Sequence, residues 1–133
     1  MVAMVFLSFG VWSMLFVRRL PKMKSDPVPI DLFRVRATRP MLSEKELAAN
    51  DNLMNLFELP VLFYALCLAL AVTGFEEWLF AAGSWAFVGL RAVHSVVHCT
   101  FNNVMLRFAA YLGSTLVLMG LWLAFAVRLA GWN

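Results

Sequence analysis

The chain has 133 residues, of which 62% are hydrophobic and 14% charged, against about 45–50% and about 25% in an ordinary soluble domain. Those proportions exclude a disordered chain, a coiled coil and a disulfide scaffold, and so small a body cannot hide that much apolar surface from water. The net charge of +3 is gathered in one segment beside an apolar run, which makes it a signal of membrane topology rather than of nucleic-acid binding.

Four apolar runs follow one another along the chain. The first, Val2 to Val17, is short but uninterrupted. It lacks a positive n-region, and Arg18 and Arg19 follow it instead of preceding it, so an uncleaved first span is expected rather than a secretory signal. A basic connector over 18–45 comes next, carrying Arg18, Arg19, Lys22, Lys24, Arg34, Arg36, Arg39 and Lys45. Its four prolines, at 21, 27, 29 and 40, predict an irregular path. The sequence Ser43-Glu44-Lys45-Glu46 has the form of a capping box, so a helix is predicted from Ser43 to Thr73. The second span is its apolar part, Leu53 to Thr73, in which Pro60 removes the amide that would bond the Leu56 carbonyl and bends the helix. The third span runs from Trp78 to Val97 and the fourth from Phe108 to Val127. Lipid admits only helices or closed barrels, and no alternating strand pattern is present, so the predicted fold is an all-α bundle of four transmembrane helices forming one domain.

The turn between spans two and three holds Glu76 and Glu77 and no basic residue. The positive-inside rule therefore puts the first connector in the cytoplasm and both termini outside, with Trp78 and Trp132 at the outer boundary.

Ionisable groups inside lipid are costly, by roughly 2.5–3.5 kcal/mol each on insertion scales, and each one calls for a role. In span two Asp51, Asn55 and Glu58 recur at i, i+4 and i+7, on one helical face. Arg91, His94 and His98 form a second stripe on span three, and Arg107, Tyr111 and Ser114 a third on span four. With the expected topology all three stripes lie at one depth on the cytoplasmic side. Glu58 and Arg91 can form a buried ion pair, since each is otherwise an unpaired charge in lipid. Asn55 can serve as interhelical glue, and Arg107 can snorkel to the headgroups. Cys67 and Cys99 show no metal-ligand spacing. A bis-histidine haem is not expected, because His94 and His98 share one face and no other span has a histidine.

Together these motifs resemble the membrane-associated proteins in eicosanoid and glutathione metabolism, the MAPEG family. The resemblance rests on Asn55-x-x-Glu58 beside a proline, then Arg91-x-x-His94-x-x-x-His98, then Arg107-x-x-x-Tyr111, in that order within four spans. It implies a homotrimer with glutathione as co-substrate, held between subunits near the cytoplasmic face. Arg107 matches the arginine that steadies the glutathione thiolate. Asn55, Glu58, His94, His98 and Tyr111 match positions around the tripeptide, Arg91 matches a core arginine paired with the glutamate, and Arg19 falls near an arginine reaching toward a neighbouring subunit. The implied activity is that of a glutathione transferase or peroxidase acting on a lipophilic small molecule that arrives from the membrane lipid. Asp51 stands where the family's enzymes usually carry arginine. That reversal keeps a non-catalytic lipid-binding or scaffolding role as an alternative. A small proton-coupled transporter using Glu58 is a second one.

Overall fold

The computed structural model describes residues 1–25 and 44–131, apart from the side chains at 19, 21–25 and 44–46. Five helices follow in order: α1 (Val2–Ser25), α2 (Glu44–Asn55), α3 (Leu59–Thr73), α4 (Trp78–Cys99) and α5 (Val104–Leu129). Residues 26–43 of the basic connector, Ser43 among them, the Arg19 side chain and Trp132 lie outside the described residues.

Three apolar stretches are long enough to cross a bilayer, namely Leu47–Thr73 taken across the α2–α3 break, Trp78–Cys99 and Val104–Leu129, while Val2–Arg18 is a shorter apolar helix. At about 1.5 Å per residue that shorter stretch covers roughly 25 Å of a hydrocarbon core about 30 Å thick. Helix α1 makes up the difference by continuing to Ser25. The prolines of the connector predict an irregular path after Val17; instead the helix continues through Pro21 to Ser25.

The chain is an all-α membrane bundle, and its burial pattern is that of a body solvated by lipid. Phe6 and Trp85 are each 71% exposed, whereas Arg91, Asn52 and Ser114 are fully buried. Large apolar side chains cover much of the outer surface, and buried polar groups join an apolar core inside. Phe63 of α3 and Phe87 of α4 stack at the centre with ring centroids 4.6 Å apart. Nearer the α3–α4 turn, Gly83 of α4 lets α5 approach closely. A β-carbon at Gly83 would stand 2.5 Å from Leu121 Cδ2, the small-residue contact that serves helix packing where no hydrophobic force draws helices together.

The start of α1 and the end of α5 lie at one end of the bundle. Met1, Val2 and Ala3 adjoin Ser84 and Trp85, and Arg128 Nε, near the end of α5, lies 2.6 Å from Glu77 Oε1 at the start of α4. Helix α3 stops there because Gly74 adopts φ 69°, and its amide bonds the Leu70 carbonyl at 2.9 Å. At the opposite end Arg18 Nη2 donates to the Cys99 carbonyl at 2.8 Å, fastening α1 to the C-terminus of α4. The polar residues gather at this second end.

Candidate functional site

The site begins with a break in the main chain. Leu56, Phe57 and Glu58 form a turn between α2 and α3, and Glu58 takes φ −95° and ψ −93°. Pro60, within the first turn of α3, is the cause. It has no amide for the Leu56 carbonyl, and its ring crowds that carbonyl and disfavours helical geometry upstream. The bend expected from sequence is therefore an interruption, and it frees carbonyls at the end of α2. The Leu56 amide bonds the Asn52 and Leu53 carbonyls, each at 3.1 Å, and the Phe57 amide bonds Met54 at 2.9 Å. The Asn55 carbonyl, which Leu59 would occupy in an unbroken helix, instead accepts from Arg91 Nη2.

Arg91 thus pairs with a backbone oxygen. The expected ion pair with Glu58 is not formed, because the turn that frees the Asn55 carbonyl leaves the Glu58 side chain exposed. The guanidinium lies 5.3 Å from the Tyr111 ring centroid, a cation–π arrangement. Its Nε and Nη1 are buried and have no acceptor among the described residues.

One turn further along α4, two histidines hold Arg107 by its main chain and its side chain. His94 Nδ1 lies 2.8 Å from the Arg107 carbonyl. A carbonyl only accepts, so Nδ1 carries the proton; Nε2 is the lone-pair nitrogen and faces Asn55 Nδ2 at 3.5 Å. His98 Nε2 lies 2.7 Å from Arg107 Nη1. A guanidinium only donates, so this Nε2 accepts, and the His98 proton sits on a buried Nδ1 with no partner among the described residues. The two imidazoles meet edge to face at 5.4 Å, and His94 lies 5.7 Å from the Tyr111 ring.

The loop that carries Arg107 into place is built from two asparagines. Asn102 adopts φ 48°, a left-handed conformation that asparagine tolerates, and its amide bonds the Val97 carbonyl at 2.8 Å. Its Oδ1 accepts from Arg107 Nη1 at 2.7 Å. Asn103 caps α5, its Oδ1 accepting from the Leu106 amide at 3.1 Å.

Of the residues expected at the site, the structure gathers Asn55, Arg91, His94, His98, Arg107 and Tyr111 into one network. Glu58 lies at its edge, and the side chain of Arg19 is outside the described residues. Sequence reasoning missed Asn52, Ser95 and Asn102. Ser95 Oγ donates to Asn52 Oδ1 at 3.3 Å, and Asn52 Nδ2 points at Cys99 Sγ, 3.4 Å away. The spacing held a signal for two of these, since Asn52 is three residues before Asn55 and Ser95 four after Arg91. Asp51, one residue from buried Asn52, is exposed. Two apolar grooves flank the network. One of about 380 Å³ lies between α1 and α2–α3, against Phe9, Trp12, Phe57 and Tyr64. The other, of about 300 Å³, lies between α3 and α5, against Leu62, Thr115 and Trp122.

A network of two arginines, two histidines and a tyrosine at one end of a four-span bundle repeats the order of the family motifs. A model of the MAPEG family matches residues 1–127. The chain belongs to the MAPEG family. No curated protein and no solved structure matches it significantly. MAPEG membership makes it an integral membrane protein of a family concerned with glutathione and eicosanoid chemistry.

Proposed function

We propose that the chain is a membrane glutathione transferase or peroxidase that conjugates or reduces lipophilic electrophiles at Arg107. The observation that carries this reading is the state of the Arg107 guanidinium. It is fixed through Nη1 by His98 and Asn102, and its other nitrogens have no partner among the described residues. A fixed, partly exposed cation at the start of α5 suits a thiolate, which is the nucleophilic form of a thiol whose free pKa is about 8.5. The positive end of the helix dipole acts in the same direction.

The donor set around Arg107 suits glutathione. Arg91 Nε, Arg91 Nη1 and His98 Nδ1 are buried donors without acceptors among the described residues, and such groups are costly to leave unpaired. Glutathione brings two carboxylates and a thiolate as acceptors, and its ammonium finds a carboxylate in exposed Glu58. In the reaction Arg107 holds the sulfur as thiolate while the thiol proton passes to water. The sulfur lone pair then forms the new S–C bond as the electrophile's leaving group departs or its ring opens. The apolar grooves bring a lipid-soluble electrophile within the span of the bundle. We place this end of the bundle in the cytoplasm with both termini outside, and we assign the working form as a homotrimer whose neighbouring subunits complete the site.

A lipid-binding or scaffolding role without catalysis is the second reading. Two observations favour it: Asp51 in place of the usual arginine, and an apolar groove beside α1 whose lining includes none of the network's own residues. Conjugation of a model electrophile by purified protein in detergent separates the two. Catalysis at Arg107 requires turnover that Arg107→Ala and a thiol-blocked glutathione both abolish. A wild-type protein that neither binds glutathione nor turns over would leave the scaffolding role.

A further inference from the structure

Both N–H groups of Arg107 Nη1 are committed. One points to His98 Nε2 and the other to Asn102 Oδ1, each at 2.7 Å. The two acceptors come from different places, one from the last turn of α4 and one from the loop that follows it. Asn102 sits at φ 48°, a conformation that turns the loop back toward α5. His94 meanwhile fixes the Arg107 main chain. Among the described residues, only the edge formed by Nε and Nη2 remains for another group. We propose that His98 and Asn102 are positioning residues that clamp Nη1 of Arg107, so that its Nε–Nη2 edge alone receives the anion. That the anion is a glutathione thiolate rests on the function proposed above; the clamp itself does not.

The clamp demands a particular protonation pattern. His98 must be neutral with its proton on Nδ1, because a protonated Nε2 would set two donors against each other. His94 must carry its proton on the same nitrogen to reach the Arg107 carbonyl. Neutral histidine free in solution favours the other tautomer, so the pattern is diagnostic. The chain has 2 histidines, and both are in this network, so ¹⁵N-histidine labelling reports on this site and nothing else.

The test uses full-length protein in detergent micelles. Histidine ¹⁵N shifts should show two neutral rings protonated on Nδ1, and Arg107→Ala should release His98 to the Nε2–H form. A wild-type His98 in the Nε2–H form would overturn the clamp. Thiolate formation is then followed by ultraviolet absorbance during glutathione titration. His98→Phe and Asn102→Gly each remove one acceptor, the latter while tolerating the positive φ, and each should weaken thiolate formation about tenfold. His98→Gln and Asn102→Asp restore an acceptor oxygen and should recover most of the loss, which a purely structural role would not produce. Titrations of His98→Phe and Asn102→Gly indistinguishable from wild type would refute the positioning role and leave the glutathione reading standing. A wild-type protein with both Nδ1–H rings but no thiolate would refute the glutathione reading and leave the clamp.

Discussion

Pro60→Ala asks whether the break before α3 is what exposes the Asn55 carbonyl to Arg91. Alanine supplies the amide that Leu56 lacks and removes the ring that crowds it, so Leu56–Glu58 can rejoin α2 to α3. Two backbone bonds become available, from residue 60 to Leu56 and from Leu59 to Asn55. At about 0.5–1.5 kcal/mol net each they favour the straight helix by roughly 1–3 kcal/mol. Against this, the Asn55 carbonyl is taken from Arg91 Nη2, a charge-assisted bond of about 1.5–3 kcal/mol. The opposing effects are of equal size, so overall stability should change by less than about 1.5 kcal/mol in a denaturant titration of the detergent-solubilised protein. The site should change much more. With its acceptor gone, Arg91 must move from beside Tyr111, and the ¹⁵N shifts of His94, which faces Asn55 and Tyr111, should move with it. A stability loss of about 3 kcal/mol or more, or His94 shifts identical to wild type, would show that the proline is not what directs Arg91 to that carbonyl.

Three further outcomes follow from particular contacts. Asp51→Arg restores a cation next to buried Asn52 and should tighten glutathione binding about tenfold by calorimetry; weaker binding would mean that the residue does not face the ligand. Gly83→Val drives a branched side chain into Leu121, 2.5 Å from where the first added carbon would sit. It should destabilise the bundle by about 1–3 kcal/mol in the same titration, with Gly83→Ala milder because the Leu121 side chain can turn aside. Glu77→Gln breaks the contact with Arg128, whose partners are 43% and 42% exposed. It should cost about 0.2–1 kcal/mol, less at high salt, and leave glutathione binding unchanged.

Much of this fold is legible in the residues themselves. Uninterrupted apolar runs and a proline placed after Leu56 fix where helices cross and where one of them fails. The polar stripes at i, i+3, i+4 and i+7 also mark the residues that meet. What the pattern does not carry is the identity of main-chain partners. Charge alone pairs Arg91 with Glu58, but the break that Pro60 causes frees a carbonyl on α2 and leaves the Glu58 side chain exposed. Spacing cannot rank those two acceptors. Asn102 is hidden for a similar reason: its role depends on a positive φ that aims its side chain back at Arg107, and the sequence Thr100-Phe101-Asn102-Asn103 reads only as a turn. The extension of α1 to Ser25 shows the reverse case, a proline that the helix runs through instead of ending at.

The role of Arg107 is tested most directly by equilibrium titration of glutathione into purified protein, wild type beside Arg107→Ala, with thiolate absorbance as the readout. The wild type should bind glutathione as thiolate near neutral pH, and Arg107→Ala should keep at most weak binding of the protonated thiol. Equal thiolate signals from the two proteins, or none from either, would contradict the assignment of Arg107 as the thiolate's partner.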